Sequence, residues 1–230
     1  MNNVSYKDIR FVLVGPPKTG TTWLRACVDE NEEVFCPRET TFFSYGESGS
    51  SFRRQNDSVD RVKWEPWEKR YLEAQKNQVL GDYGASYSVL PHVPELLARL
   101  NSEVKIIFTV RDPVRRAVSN YKHDVRMGLI PRRVSLEHLI SPQFFGYRYI
   151  GVGHYSEHIA RYLEYFDVRQ IYVSPMPRKE KDNQPLLDRV FEFLEVEPMT
   201  IELANQQVYE SRRPLWPRWH YRAHFGGGWR

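Results

Sequence analysis

Lys18, Thr21 and Thr22 sit in the stretch Phe11 to Trp23, which reads FVLVGPPKTGTTW. An ammonium and two hydroxyls beside Gly15 and Gly20 are the makings of an anion site. The loop amides and the positive end of a following helix would point at one phosphate, with Lys18 adding charge and the threonines adding donors. A second group is RDPVRRAVSNY, residues 111 to 121. There Arg111 leaves an apolar strand at a helix start, and Ser119 lies two turns on. An arginine fork and a hydroxyl can hold a phosphate as a charge-assisted cluster. A third is Arg38-Glu39-Thr40-Thr41-Phe42-Phe43. Aromatic surface against the Glu39 carboxylate would raise its pKa toward the range of a general base, and Arg38 would oppose that shift.

Each group needs an element to place it. Phe11 to Val14 is a short apolar run suited to a buried strand. Gly15, Pro16 and Pro17 stop it, and Thr21-Thr22-Trp23-Leu24 opens a helix that Cys27 to Asn31 should end. Residues 32–43 read as a turn and a short extended piece, and residues 44–60 as a mobile loop. Residues 65–75 have helical spacing, with Trp67, Tyr71 and Ala74 on one face, and residues 79–87 form a second strand-loop region. Pro94 to Leu100 predicts a helix, and Val104 to Val110 the clearest buried strand. Asp112 is the expected N-cap and Pro113 the first residue of a helix running to Met127, ended by Gly128. A further helix is expected over Val152 to Phe166, with Tyr155, Ile159, Tyr162, Leu163 and Phe166 on its apolar face. A third strand is expected over Arg169 to Ser174, and a helix over Gln184 to Leu194. Strands alternating with helices argue for a parallel sheet covered on both faces, an α/β fold of three layers. Ligands in such sheets bind beyond the carboxyl ends of the strands, where both the Gly15 loop and Arg111 fall.

Gly15 and Gly20 have the spacing of the P-loop pattern G-x-x-x-x-G-K-[ST], but position 21 is Thr and the lysine stands at 18. In an ATP-using enzyme the lysine after the second Gly reaches the β- and γ-phosphates. A lysine inside the loop sits beside whatever is attached to the cradled phosphate. Pro17-Lys18-Thr19-Gly20-Thr21-Thr22-Trp23, read as P-x-x-G-T-T-W, resembles the 5′-phosphosulfate loop of sulfotransferases that use 3′-phosphoadenosine 5′-phosphosulfate (PAPS). Arg111 and Ser119 resemble that family's 3′-phosphate pair. The segment from Arg38 to Phe43 is similar to the Lys-Glu…Phe-Phe segment of the glycan sulfotransferases, which implies Glu39 as the base and Phe42 as an acceptor contact. Residues 81–87, GDYGASY, resemble their Glu-Lys-x-Pro-x-Tyr segment, which implies Tyr87 and Asp82 at the acceptor cleft; a polar β-turn region is the alternative. Tyr83 and Ala85 stand where Lys and Pro are common in that segment. The tail RAHFGGGWR is similar, at Arg222, to a basic nucleotide-binding motif of the cytosolic enzymes. Trp23 is either a stacking face for adenine or a core residue, and His123 is an acceptor contact, the competitor of Glu39 for the role of base, or polar packing.

The resemblance implies one sulfotransferase domain over residues 1–230, with a P-loop-like fold. PAPS would be the donor, adenosine 3′,5′-bisphosphate (PAP) the product, and a glycan or small natural product the acceptor, through a hydroxyl or an amine. Glu39 and Lys18 would be catalytic, with no metal required. Two alternatives stay open: a P-loop kinase of small molecules, and a nucleotide-binding module without turnover. The chain is 41% hydrophobic and 27% charged, with net charge +4. That mild basic bias suits an anionic ligand and is too weak to argue for nucleic acid. Two cysteines give no disulfide framework, and the seven histidines show no metal spacing. With no apolar leader region and no run of 18 apolar residues, we expect a cytoplasmic protein without a membrane span. A shortened piece of a secretory-pathway protein is the weaker alternative.

Overall fold

The computed structural model describes residues 4–38, 43, 65–141, 146–177 and 182–206. They fall into two compact units, the described residues within 1–111 and 155–206, and the described residues within 112–154.

The first unit is built on five parallel strands: β1 (Ile9–Gly15), β2 (Val34–Phe35), β3 (Val79–Tyr83), β4 (Lys105–Val110) and β5 (Ile171–Pro175). Their order is β2-β3-β1-β4-β5, so β1 is central. Val12 pairs with Asp82 on one side and Ile106 on the other. A central parallel strand is covered on both faces, which is why Phe11 to Val14 of β1 is an unbroken apolar run. Strand alternation divides its side chains. Phe11 and Leu13 join one buried cluster with Leu24, Ile107 and Phe191. Val12 and Val14 join another with Leu97, Phe108 and Tyr162.

In chain order the first unit's helices are α1 (Thr21–Asp29), α2 (Glu65–Glu68) and α3 (Val93–Leu100). Helices α4 (Pro113–Arg126) and α5 (Leu136–Leu139) belong to the second unit, and α6 (Tyr155–Leu163) and α7 (Gln184–Leu194) to the first. Helix α7 has the expected bounds, with Leu187, Val190, Phe191 and Leu194 buried.

Three expectations are corrected. The helix expected from Val152 begins at Tyr155, because Gly151–Gly153 form a 3-10 turn. Its Leu163 is 45% exposed; the buried face runs instead through His158, Tyr162 and Phe166. The strand expected from Arg169 begins at Ile171, because Asp167 caps a 3-10 turn over Val168–Gln170 by accepting from the Arg169 amide. The helical spacing over 65–75 gives only α2 and a 3-10 turn, although Trp67, Tyr71 and Ala74 are buried as expected. The stretch expected as a mobile loop lies outside the described residues.

In the second unit Asp112 accepts from the Arg115 amide at 2.7 Å, Pro113 opens α4, and Gly128 follows its end at φ +75°. The inner face of α4 is polar. Asp124, 1% exposed, accepts from Arg148 Nε and Nη2, both at 2.7 Å, from Tyr149 at 2.9 Å and from Asn120 at 3.0 Å. Burial and this carboxylate raise the Tyr149 pKa. Arg116 is fully buried and donates through Nη2 to the carbonyls of Arg148 and Tyr149. Among the described residues no helix is long and apolar enough to cross a membrane.

Candidate active site

The loop between β1 and α1 is fixed by backbone geometry before any side chain is considered. Gly15 has φ +96°, and a Cβ there would lie 2.0 Å from the Ala85 carbonyl oxygen. Gly20 has φ +95° and packs against Met176 and Pro177, beyond the end of β5. Both positions demand glycine. Lys18 is left-handed as well, at φ +71°, a conformation a non-glycine residue adopts only where its surroundings enforce it. Its surroundings include Arg111, whose Nη1 donates to the Lys18 carbonyl at 3.3 Å.

Thr19 is fully buried, and its hydroxyl donates to the Pro16 carbonyl and meets the Thr109 hydroxyl. Thr109 also reaches the Gly15 carbonyl, at 3.3 Å. The Thr19 side chain therefore ties the loop to β4, so any contact Thr19 makes with an anion falls to its backbone amide.

Helix α1 has Gly20 as N-cap, with no side-chain cap. Its first amides and the positive end of its dipole are thus presented at the loop. At this end Tyr83, the last residue of β3, donates to Thr21 Oγ1 at 3.1 Å and lies 3.2 Å from Thr22 Oγ1. Tyr83 pairs with Leu13 in the register of β3 on β1, which brings its ring to the loop. The sequence reading missed this contact; the only sequence signal is that Tyr83 closes the short strand piece before Gly84. Pro17 is half-buried in the same loop.

Three of the expected residues are buried. Trp23 is core: 8% exposed, packed among the apolar side chains of the α1 face, with its indole donating to the Leu203 carbonyl at 3.3 Å. Tyr87, expected at the acceptor cleft, is fully buried. Its ring meets Phe43 at 5.2 Å, and its hydroxyl accepts from the Phe43 amide at 3.5 Å. Asp82 is also fully buried and accepts from the Tyr6 hydroxyl at 3.0 Å. Burial, and then the Asp82 charge, hold the Tyr6 phenol well above its ordinary pKa.

Ser119 and His123 lie half-buried on α4 in the second unit. Ser119 shares with Arg115, Lys122 and Arg126 the i, i+4, i+7, i+11 strip of that helix. Arg126 Nη2 donates to His123 Nδ1 at 3.1 Å. Arginine is always a donor, so a neutral His123 carries its proton on Nε2 and has no second lone pair to offer as a base. Glu39, Phe42 and Arg222 lie outside the described residues. Among those described, no group of His, Cys, Asp and Glu has the arrangement of a metal site.

The chemistry available in the first unit is anion binding by amides, a lysine, an arginine and two hydroxyls. Comparison with known proteins gives it a family. The sulfotransferase domain profile matches residues 8–215. The mouse heparan sulfate glucosamine 3-O-sulfotransferase 5 is 24% identical over 194 residues, covering 81% of this chain and 53% of that protein. The chain thus spans about half the length of that relative. A sulfotransferase from Alicyclobacillus acidocaldarius superposes with a TM-score of 0.69 at 22% identity, covering 88% of this chain and 87% of that one. Mouse sulfotransferase SULT7A1, solved in complex with PAP, superposes with a TM-score of 0.51 at 17% identity, covering 84% of this chain and 60% of that one. With its phosphate-loop geometry and a family match over nearly its whole length, this chain belongs to the sulfotransferase domain family.

Proposed function

We propose that this chain transfers a sulfuryl group from PAPS to a hydroxyl or amine of an acceptor, with a glycan as the favoured class. The observation that carries the reading is the loop: a lysine held left-handed between two obligatory glycines, at an α1 N-terminus with no side-chain cap. This arrangement fits a 5′-phosphosulfate. The amides from Gly20 onward and the Thr21 and Thr22 hydroxyls would hold the phosphate, and Arg111 the 3′-phosphate, with Ser119 assigned to the same phosphate by its spacing. Bound there, PAPS would supply the sulfuryl group.

The chain's own residues do the rest. Lys18 would supply positive charge to the leaving group, which would stabilise the negative charge gathering there during transfer. Glu39 takes the acceptor proton. Trp23, being core, is left out of the nucleotide contacts. The glycan preference rests on the named heparan sulfate relative and on the resemblance of residues 38–43 to the glycan enzymes.

The test is thermal shift followed by transfer. PAP is expected to raise the melting temperature, and ATP with magnesium to leave it unchanged. Labelled sulfate from PAPS is then offered to an N-acetylated heparan-type glycan, its N-deacetylated form and a simple phenol, with label expected on a glycan. Stabilisation by ATP-magnesium alone would overturn the donor, and label on the phenol alone would overturn the acceptor class.

A further inference from the structure

We infer that Tyr83 is a positioning residue for the phosphate loop, setting the hydroxyl directions of Thr21 and Thr22 for the anion at the α1 N-terminus. The inference rests on the loop being the donor's phosphate site, as proposed above.

The argument is a count of protons. A phenol has one. Tyr83 donates it to Thr21 Oγ1 at 3.1 Å, a contact that runs in that direction only. The 3.2 Å contact with Thr22 must then run the other way, from the Thr22 hydroxyl to the Tyr83 oxygen. Thr21, as acceptor, has its own proton turned away from Tyr83. Thr22 keeps its proton on Tyr83 until a stronger acceptor, such as a phosphate oxygen, draws it off. The phenol is itself immobile: Tyr83 is 3% exposed, packed in the cluster that holds Leu13 and Leu24, and it ends the strand paired with β1. A packed phenol that donates to one rotatable hydroxyl and accepts from the other fixes the first and holds the second in reserve, which lowers the rotational cost of placing both on a ligand. Tyr83 itself need not touch the donor.

The experiment is a double-mutant cycle read by calorimetry with two probes, PAP and inorganic pyrophosphate, on the whole chain. Tyr83→Phe keeps the ring in the core and removes the proton. It is expected to weaken both probes by roughly 3- to 10-fold, the scale of one net hydrogen bond. In a Thr21→Ala, Thr22→Ala background the same change is expected to cost less than about twofold, since there is nothing left to direct. Restoring hydroxyls as Thr21→Ser and Thr22→Ser should bring the Tyr83 effect back. Equal losses in both backgrounds would mean that Tyr83 only packs, and would overturn the inference. So would unchanged binding in Tyr83→Phe, or a wild-type chain that binds neither probe. Pyrophosphate binding without PAP binding would overturn the donor reading alone, and the pyrophosphate cycle would still decide the role of Tyr83.

Discussion

The guanidinium of Arg111, just beyond β4, donates to the carbonyl of Lys18, in the loop after β1, at 3.3 Å. The candidate 3′-phosphate ligand is thus also a brace for the residue that would meet the leaving group. Arg111→Ala should therefore do two things. PAP binding is expected to weaken by roughly 2–4 kcal/mol, the scale of losing a charge-assisted pair. A nucleotide without the 3′-phosphate is expected to weaken by only about 0.5–1.5 kcal/mol, through the lost brace. Calorimetry on both ligands checks this, and equal losses would remove Arg111 from the 3′-phosphate.

Gly15 leaves no room for a side chain. In Gly15→Ala the Cβ would meet the Ala85 carbonyl oxygen at 2.0 Å, at φ +96°. The cost is expected to be about 2–4 kcal/mol, from left-handed strain plus overpacking. Urea unfolding gives the loss of stability, and a loss under about 0.5 kcal/mol, the scale of an ordinary surface change, would show that the loop relaxes freely.

Glu39→Gln keeps size and hydrogen-bonding reach but cannot take a proton. It is expected to lower kcat by ~10²–10⁴-fold with nucleotide affinity within a few-fold. His123→Ala is expected to retain most of kcat, since the Nδ1 lone pair is occupied by Arg126. Steady-state kinetics on both variants separate them; a normal glutamine variant and a dead His123→Ala would reverse the assignment.

Transfer is expected to persist in excess EDTA. In the proposed scheme the positive charge at the leaving group would come from Lys18 and the loop amides, which leaves no step for a divalent ion to perform. Activity abolished by EDTA and restored by magnesium would point to metal-assisted chemistry instead.

Both cysteines should be silent in the native protein. Burial pushes the Cys27 thiol up to about 12, and raises Cys36 well above its usual value. A neutral-pH thiol titration is expected to find neither before denaturation and both after it. The sign of the linkage follows: unfolded thiols ionise near 9.0 while the native Cys27 does not, so stability falls as pH climbs from 9.0 toward about 12. A flat melting temperature across that window would contradict the burial.

What the sequence determined by itself is local. The apolar run before Gly15, the two glycines around Lys18, Asp112 before Pro113 and the spacing of Leu187, Val190, Phe191 and Leu194 each act on near neighbours in the chain. They predicted β1, its loop, the start of α4 and the whole of α7. Tertiary structure decided what depends on distant partners. It set β1 between β3 and β4, which brings Arg111 to Lys18 and Thr109 to Thr19. It turned Trp23 and Tyr87 into core, because large rings near a sheet are buried wherever packing closes over them. It put the Tyr83 hydroxyl between Thr21 and Thr22, residues that no periodicity links. Hydrogen bonds across the sheet follow strand order and register, and those are chosen by the packing of both faces at once.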